Sequence, residues 1–206
     1  MTSLSERAYA TIYEWIVTGK LKKGEATSEL ALCAELDMSR TPVRQALQRL
    51  EHEGFLNIVP KHGIIILDSS AQRVSDLLDI LIPFLLFAVH SLSLTRQHVL
   101  KDVQEKAIRK LQQLEQASPI CSDTLVDFEY ETILAIIKSC ENEEMTKQFR
   151  LTTARLFWSQ NKKRWQAPYH HETSDVFSQL LASVNDPATF HEAAFRYLQN
   201  LKNTWT

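Results

Sequence analysis

Glycine is confined to one end of this chain. All four glycines (Gly19, Gly24, Gly54 and Gly63) lie in the first 63 of its 206 residues, and the remaining 143 have none. Tight β-turns of types II, I′ and II′ use positive φ, which glycine adopts without steric cost. A glycine-free stretch of that length is therefore expected to be helical rather than a sheet. The chain is expected to divide near Asp68-Ser69-Ser70, into a mixed domain over residues 1–68 and an all-helical domain over 69–206. The fold class that follows is mainly α.

Composition narrows the function classes. With 44% hydrophobic and 23% charged residues the chain is ordinary globular protein, which excludes collagen-like, mucin-like and low-complexity readings. The nearly apolar run from Leu77 to Leu94 is interrupted by Asp79, Pro83 and His90, which argues against a membrane span. Met1 to Glu6 has no basic segment followed by an apolar one, so no export signal is expected. The three cysteines are odd in number and lack C-x-x-C spacing, as expected for reduced thiols in a cytoplasm. A net charge of −2 means that any contact with nucleic acid needs a local basic patch.

The first domain reads element by element. Ser3-x-x-Glu6 has capping-box spacing before a helix carrying Ala8, Ile12 and Ile16, which is expected to end near Thr18 with Gly19 as its stop. A second helix is expected from Thr27 or Ser28 to Asp37. Ser39 is a good N-cap for a third, with Pro42 in the first turn and Val43, Leu47 and Leu50 as its buried stripe. Two helices joined by a short turn form a helix-turn-helix. Phe55 to Val59 and Gly63 to Leu67 are β-rich runs on either side of Pro60-Lys61-His62, and they predict a two-stranded wing.

Gly19-x4-Gly24, then Ser39-Arg40-Thr41-Pro42-Val43-Arg44-Gln45-Ala46-Leu47-x-Arg49-Leu50-Glu51-x2-Gly54, then His62-Gly63 together resemble the winged helix-turn-helix of GntR-family transcription regulators. The resemblance covers about residues 5 to 68. It implies a DNA-binding regulator, expected to act as a repressor. Arg40 and Arg44, four apart near the helix N-terminus, suit base edges and phosphates in a major groove. Ser39 and Thr41 suit phosphate at the positive helix end, and Lys61, His62 and Gly63 place the wing against the backbone or minor groove. One departure stands out: Leu30 occupies a second-helix position where family members often have arginine.

Six helical segments are expected beyond residue 70: Ser70 to Leu94, Arg96 to Gln116, Ser122 or Asp123 to Ser139, Asn142 to about Lys162, one opening at Pro168, and one capped by Asp186-Pro187. Pro83 should kink or break the first of them. In GntR regulators an all-α domain of this size resembles the FCD type, whose members commonly hold a metal with Asp-x3-His and two further histidines. Here Asp127-x3-Glu131 takes the first place, and Ser174 and Tyr197 fall near the other ligand positions. Oxygen-only donors suit a hard cation or none, so no zinc or nickel is expected, and His170, His171 and His191 lie near in sequence only. Asp127, Glu131, Ser174 and Tyr197 are therefore candidate effector-cavity residues.

Ile80 to Phe87 is apolar all round and has no arginine to clamp a carboxylate, so a dimer partner or a more apolar effector is expected there. Phe149, Phe157 and Trp158 form a second candidate dimer contact. A single winged helix reads a short half-site, which predicts a homodimer on an inverted repeat of double-stranded DNA. Two alternatives are a constitutive DNA binder with a degenerate effector site and a helical metal-dependent enzyme. The enzyme reading lacks a nucleophile–base or metal-ligand spacing, so no catalysis is expected.

Overall fold

The protein is described by a computed structural model covering residues 3–22, 24–60, 62–67, 71–117, 119–156, 158 and 161–205, apart from the Ala71 side chain. It falls into two compact units, Met1–Ser70 and Ala71–Thr206.

The first unit begins with α1 (Leu4–Val17), capped by the Ser3 hydroxyl accepting from the Glu6 amide, and the chain leaves it through Gly19 at φ +77°. Helix α2 (Glu29–Leu36) starts on Ser28, whose hydroxyl accepts from the Ala31 amide, and stops at Asp37 in the left-handed region. Ser39 takes the N-cap position of α3 (Arg40–His52), and Pro42 fits because a first-turn residue needs no amide hydrogen. Ile12 and Ile16 of α1 and Val43, Leu47 and Leu50 of α3 are fully buried, each contributing roughly 1.5–3 kcal/mol. The expected two-stranded wing is in fact three-stranded. Strand β1 (Ala26–Thr27) pairs antiparallel with β3 (Gly63–Ile66), which pairs antiparallel with β2 (Leu56–Val59), giving the order β1-β3-β2.

The second unit holds six helices among its described residues: α4 (Ala71–Thr95), α5 (Gln97–Glu115), α6 (Ser122–Lys138), α7 (Glu143–Arg155), α8 (His170–Ser183) and α9 (Pro187–Thr204). Asn142 caps α7 through Met145, and Asp186 caps α9 just ahead of Pro187. Helix α4 is the hub, packed against α5, α6, α7 and α9. By length and composition it is apolar enough to cross a membrane, but that apolarity is used in the core, where Leu78, Leu85, Ala88 and Val89 are buried.

Two expectations for this unit need correction. Pro83 lies inside α4 without breaking it. It sits on the exposed face, where the carbonyl it leaves unpaired can turn to water. Helix α7 ends at Arg155, well short of Lys162. Beyond it Trp158 is buried, as are Arg164 and Trp165 of a short 3-10 turn, Lys163–Trp165.

Candidate nucleic-acid interface

Helix α3, the candidate recognition helix, is fixed from behind. Glu53 at the end of α3 accepts the Tyr9 hydroxyl at 2.5 Å and Arg49 Nε at 3.0 Å, while Arg49 Nη1 reaches Glu6 at 3.1 Å. The Arg49 guanidinium also lies 3.9 Å from the centre of the Tyr9 ring. Burial, then the hydrogen bond to Glu53, push the Tyr9 hydroxyl far above its ordinary pKa, so it stays a donor. At the same end of α3, Glu51 Oε1 accepts the Ile58 amide of β2 at 2.6 Å, which ties the helix to the wing.

The opposite face is left to solvent. Ser39, Arg40, Thr41, Arg44, Gln45 and Gln48 are all exposed, with the two arginines on successive turns. Ser39 makes no side-chain cap bond, so its hydroxyl is available at the helix N-terminus. Arg44 is held by Glu29 of α2, with Nε 3.1 Å from Oε2 and Nη2 3.2 Å from Oε1. Neither Glu29 nor the exposed pair Gln45 and Gln48 was picked out from sequence. The glutamines were visible on the helix wheel, but the Glu29 contact joins two helices and left no local signal. Leu30 is 59% exposed beside Glu29.

The wing residues divide differently. Lys61 lies outside the described residues. His62 is exposed in the β2–β3 turn, with its amide on the Val59 carbonyl at 3.0 Å. Gly63 has a packing reason for being glycine: it sits at φ +91°, and a Cβ there would come 2.5 Å from the Thr27 carbonyl oxygen of β1. Gly63→Ala is therefore expected to destabilise the first unit by about 1–3 kcal/mol. Thermal unfolding of the full chain checks this, and an unchanged midpoint would show that β1 shifts freely.

Residues 4–66 match the sequence profile described as bacterial regulatory proteins, gntR family. The N-terminal unit is a GntR-family winged helix-turn-helix.

The uncharacterized HTH-type transcriptional regulator in the TAR-I ttuE-ttuC' intergenic region of Agrobacterium vitis is 36% identical over 75 residues, 36% of this chain and 44% of that protein. The Nta operon transcriptional regulator of Aminobacter aminovorans is 29% identical over 142 residues, 68% of this chain and 65% of that one. The alignments thus span less than two thirds of these relatives. Among solved structures, one assigned as a transcriptional regulator GntR from Rhodococcus sp. RHA1 superposes with a TM-score of 0.64 at 18% identity, covering 99% of this chain and 98% of that one. The structure described by the words "Lar controls the expression of the Listeria monocytogenes agr system and mediates virulence" gives 0.61 at 18% identity, covering 100% and 97%. At these identities the likeness is one of fold. The helical unit that follows in sequence thus shares its fold with the solved Rhodococcus GntR structure.

The candidate cavity residues of the helical unit do not converge. Asp127 and Glu131 are exposed on α6, and two residues further round, Glu129 is fully buried. Two positions along a helix are about 200° around its axis, so the face with Asp127 cannot also be the inner one. Ser174 hydrogen-bonds Glu115 and not the acidic pair. Tyr197 is buried, but its hydroxyl donates to Glu129 Oε1 at 2.7 Å. Burial, then the Glu129 charge, hold that hydroxyl well above its ordinary pKa, so it remains protonated.

The interior polar site is thus built on Glu129. Its Oε2 accepts Arg164 Nε at 2.7 Å and Trp165 Nε1 at 3.0 Å. Arg164 Nη2 lies 2.6 Å from the same oxygen, in ion-pair contact off the line of a hydrogen bond. Arg164 Nη1 donates to the Asn161 carbonyl. The guanidinium is flanked by the rings of Trp158 and Trp205 at 4.8 and 5.1 Å, and both charged side chains are completely buried. Glu129 could have been singled out from its spacing to Leu125, Val126 and Ile133, which puts it in the buried stripe.

None of the three candidate histidines hydrogen-bonds or pairs with Glu129 among the described residues, although one of them touches the edge of its site. The His170 ring packs on Trp165 at 5.9 Å, and the exposed His191 packs on Phe195 at 4.9 Å. Among the described residues no group of three or more His, Cys, Asp or Glu side chains comes together as a metal site. Glu131 instead borders a shallow groove of about 270 Å³ between α5 and α6, with Val103, Ala107, Lys110, Phe128 and Ala135. Asp127→Ala and Glu131→Ala are expected to change stability by no more than about 0.5 kcal/mol, as for other surface sites. Equilibrium unfolding in urea tests this, and a loss of several times that size would mean the pair has a partner.

Proposed function

We propose that the protein is a DNA-binding transcription regulator that acts as a homodimer on an inverted repeat and represses by occupying its operator. The observation that carries this reading is the solvent-facing row Ser39, Arg40, Thr41 and Arg44 at the N-terminal end of a helix held rigidly from behind, within a GntR-family domain. Such a helix end brings donors to base edges and phosphates together. His62 and Lys61 extend the contact through the wing. On this reading the protein is cytoplasmic, where the DNA is, and is not an enzyme.

The test is selection of duplexes from a randomised pool by the full-length protein. Arg40→Ala and Arg44→Ala are each expected to weaken binding to the selected duplex by roughly 1–3 kcal/mol without unfolding the chain. Folded variants that bind as tightly as the parent would remove the recognition-helix assignment.

The dimer contact is assigned to α4. Ile80, Pro83, Phe87, His90 and Leu94 are exposed along it at alternating three- and four-residue steps, the spacing of a helix seam. Ile80, Phe87 and Leu94 are 47%, 57% and 74% exposed, large for apolar side chains. The other expected contact does not serve: Phe149 and Trp158 are buried in the core, and Phe157 lies outside the described residues. We place the helical unit in the FCD type, with effector sensing as its role. The ordinary polar interior is already taken by Glu129 and Arg164, so the largely apolar α5–α6 groove is the seat for an effector more apolar than a small carboxylate.

A further inference from the structure

Arg40 and Arg44 share a face but not an environment. Arg44 is gripped side-on by Glu29, which occupies Nε and one proton of Nη2. Both protons of Nη1 and the second of Nη2 remain, and the latter with one from Nη1 forms the end-on fork of the guanidinium. That fork matches O6 and N7 of guanine. Among the described residues Arg40 makes no ion pair, so its guanidinium keeps its full charge and freedom.

We propose that Glu29 is a positioning residue that commits Arg44 to reading a guanine and leaves phosphate neutralisation to Arg40. The inference rests on the DNA-binding reading above. A carboxylate against the guanidinium cancels much of its long-range pull on a phosphate, and phosphate contact depends on that charge. It leaves the directional donors intact and limits the rotamers they must give up on binding. The stability of the fold offers little reason for the contact. The Arg44 and Glu29 side chains are 62% and 26% exposed, and surface pairs contribute little. Glu29 also lies in the first turn of α2, where any acid favours the helix dipole. Aspartate would keep that charge but is one methylene too short for the grip, so it separates the two roles.

The experiment uses the full chain and the duplex enriched from the randomised pool, together with its single-base-pair variants. Affinities are measured at several salt concentrations for the parent, Arg40→Ala, Arg44→Ala, Glu29→Ala and Glu29→Asp, each checked for parental helix content and unfolding midpoint. Arg44→Ala is expected to abolish preference at one G·C pair in each half-site, a preference of roughly 5- to 150-fold in the parent. Both Glu29 variants are expected to relax the same pair, and Glu29→Ala to raise affinity for an unrelated duplex. Arg40→Ala is expected to weaken all duplexes alike and to reduce the salt slope by about 1. Unchanged base preference in Glu29→Ala, or a Glu29→Asp protein that reads like the parent, overturns the proposal while leaving DNA binding in place. A pool that yields no enriched duplex overturns the DNA-binding reading, and the assignment of Glu29 with it.

Discussion

Arg164→Ala is expected to lower the stability of the helical unit by about 3–5 kcal/mol, the usual cost of removing one partner from a buried ion pair. Glu129 would keep Trp165 Nε1 and Tyr197 as donors, but its charge would lose the one countercharge it has among the described residues, in a site that water does not reach. The paired replacement Glu129→Leu with Arg164→Met is expected to recover most of that loss, because no lone charge is left inside and the side-chain volumes are similar. Urea unfolding of the full chain measures both. Trp158 and Trp205, which flank the guanidinium, give a fluorescence reading of the same change. An Arg164→Ala protein within about 1 kcal/mol of the parent would show that the pair is hydrated and contributes little to the core.

Phe87→Asp is expected to leave a monomer at concentrations where the parent is a dimer. Its site lies midway along the exposed α4 stripe and is open to solvent, so the folded chain should tolerate the charge while the seam does not. The larger effect should fall on DNA. Two linked winged helices bind an inverted repeat with an effective concentration that two separate ones lack, so affinity should drop by roughly 10²–10⁴-fold. Affinity for an isolated half-site should change little. Sedimentation and titration of both duplexes decide this. A parent that sediments as a monomer, free and bound, would remove the dimer and the seam together.

Legibility in the sequence followed the range of the interactions. Ser3, Asn142 and Asp186 cap helices where their spacing placed them, because capping is settled within three or four residues, and Ser28, one of two expected starts, caps α2. Strand β1 could not be read, since Ala26-Thr27 carries no β signal and becomes a strand only by pairing with Ile64 and Ile65. Arg164 was equally silent, as its partner lies 35 residues away. Glu129 was legible, but attention to the family spacing favoured Asp127 and Glu131 over the helical period that marked their neighbour as internal. On the DNA-facing side the arginines were visible at once, and the carboxylate that holds one of them was not.

The bond from Glu51 to the Ile58 amide joins the wing to the far end of α3, while the exposed Arg40, Thr41, Arg44, Gln45 and Gln48 sit on another face. On the proposed function, anchoring and reading are therefore carried by separate residues. On the DNA-binding reading proposed above, exchanges at positions 44, 45 and 48 are expected to rewrite which bases are preferred while the angle between helix and wing stays as it is. If the proposal for Glu29 holds, a chassis of this kind can be reprogrammed to a new operator through a few surface codons, with Glu29 adjusted to whatever stands at position 44.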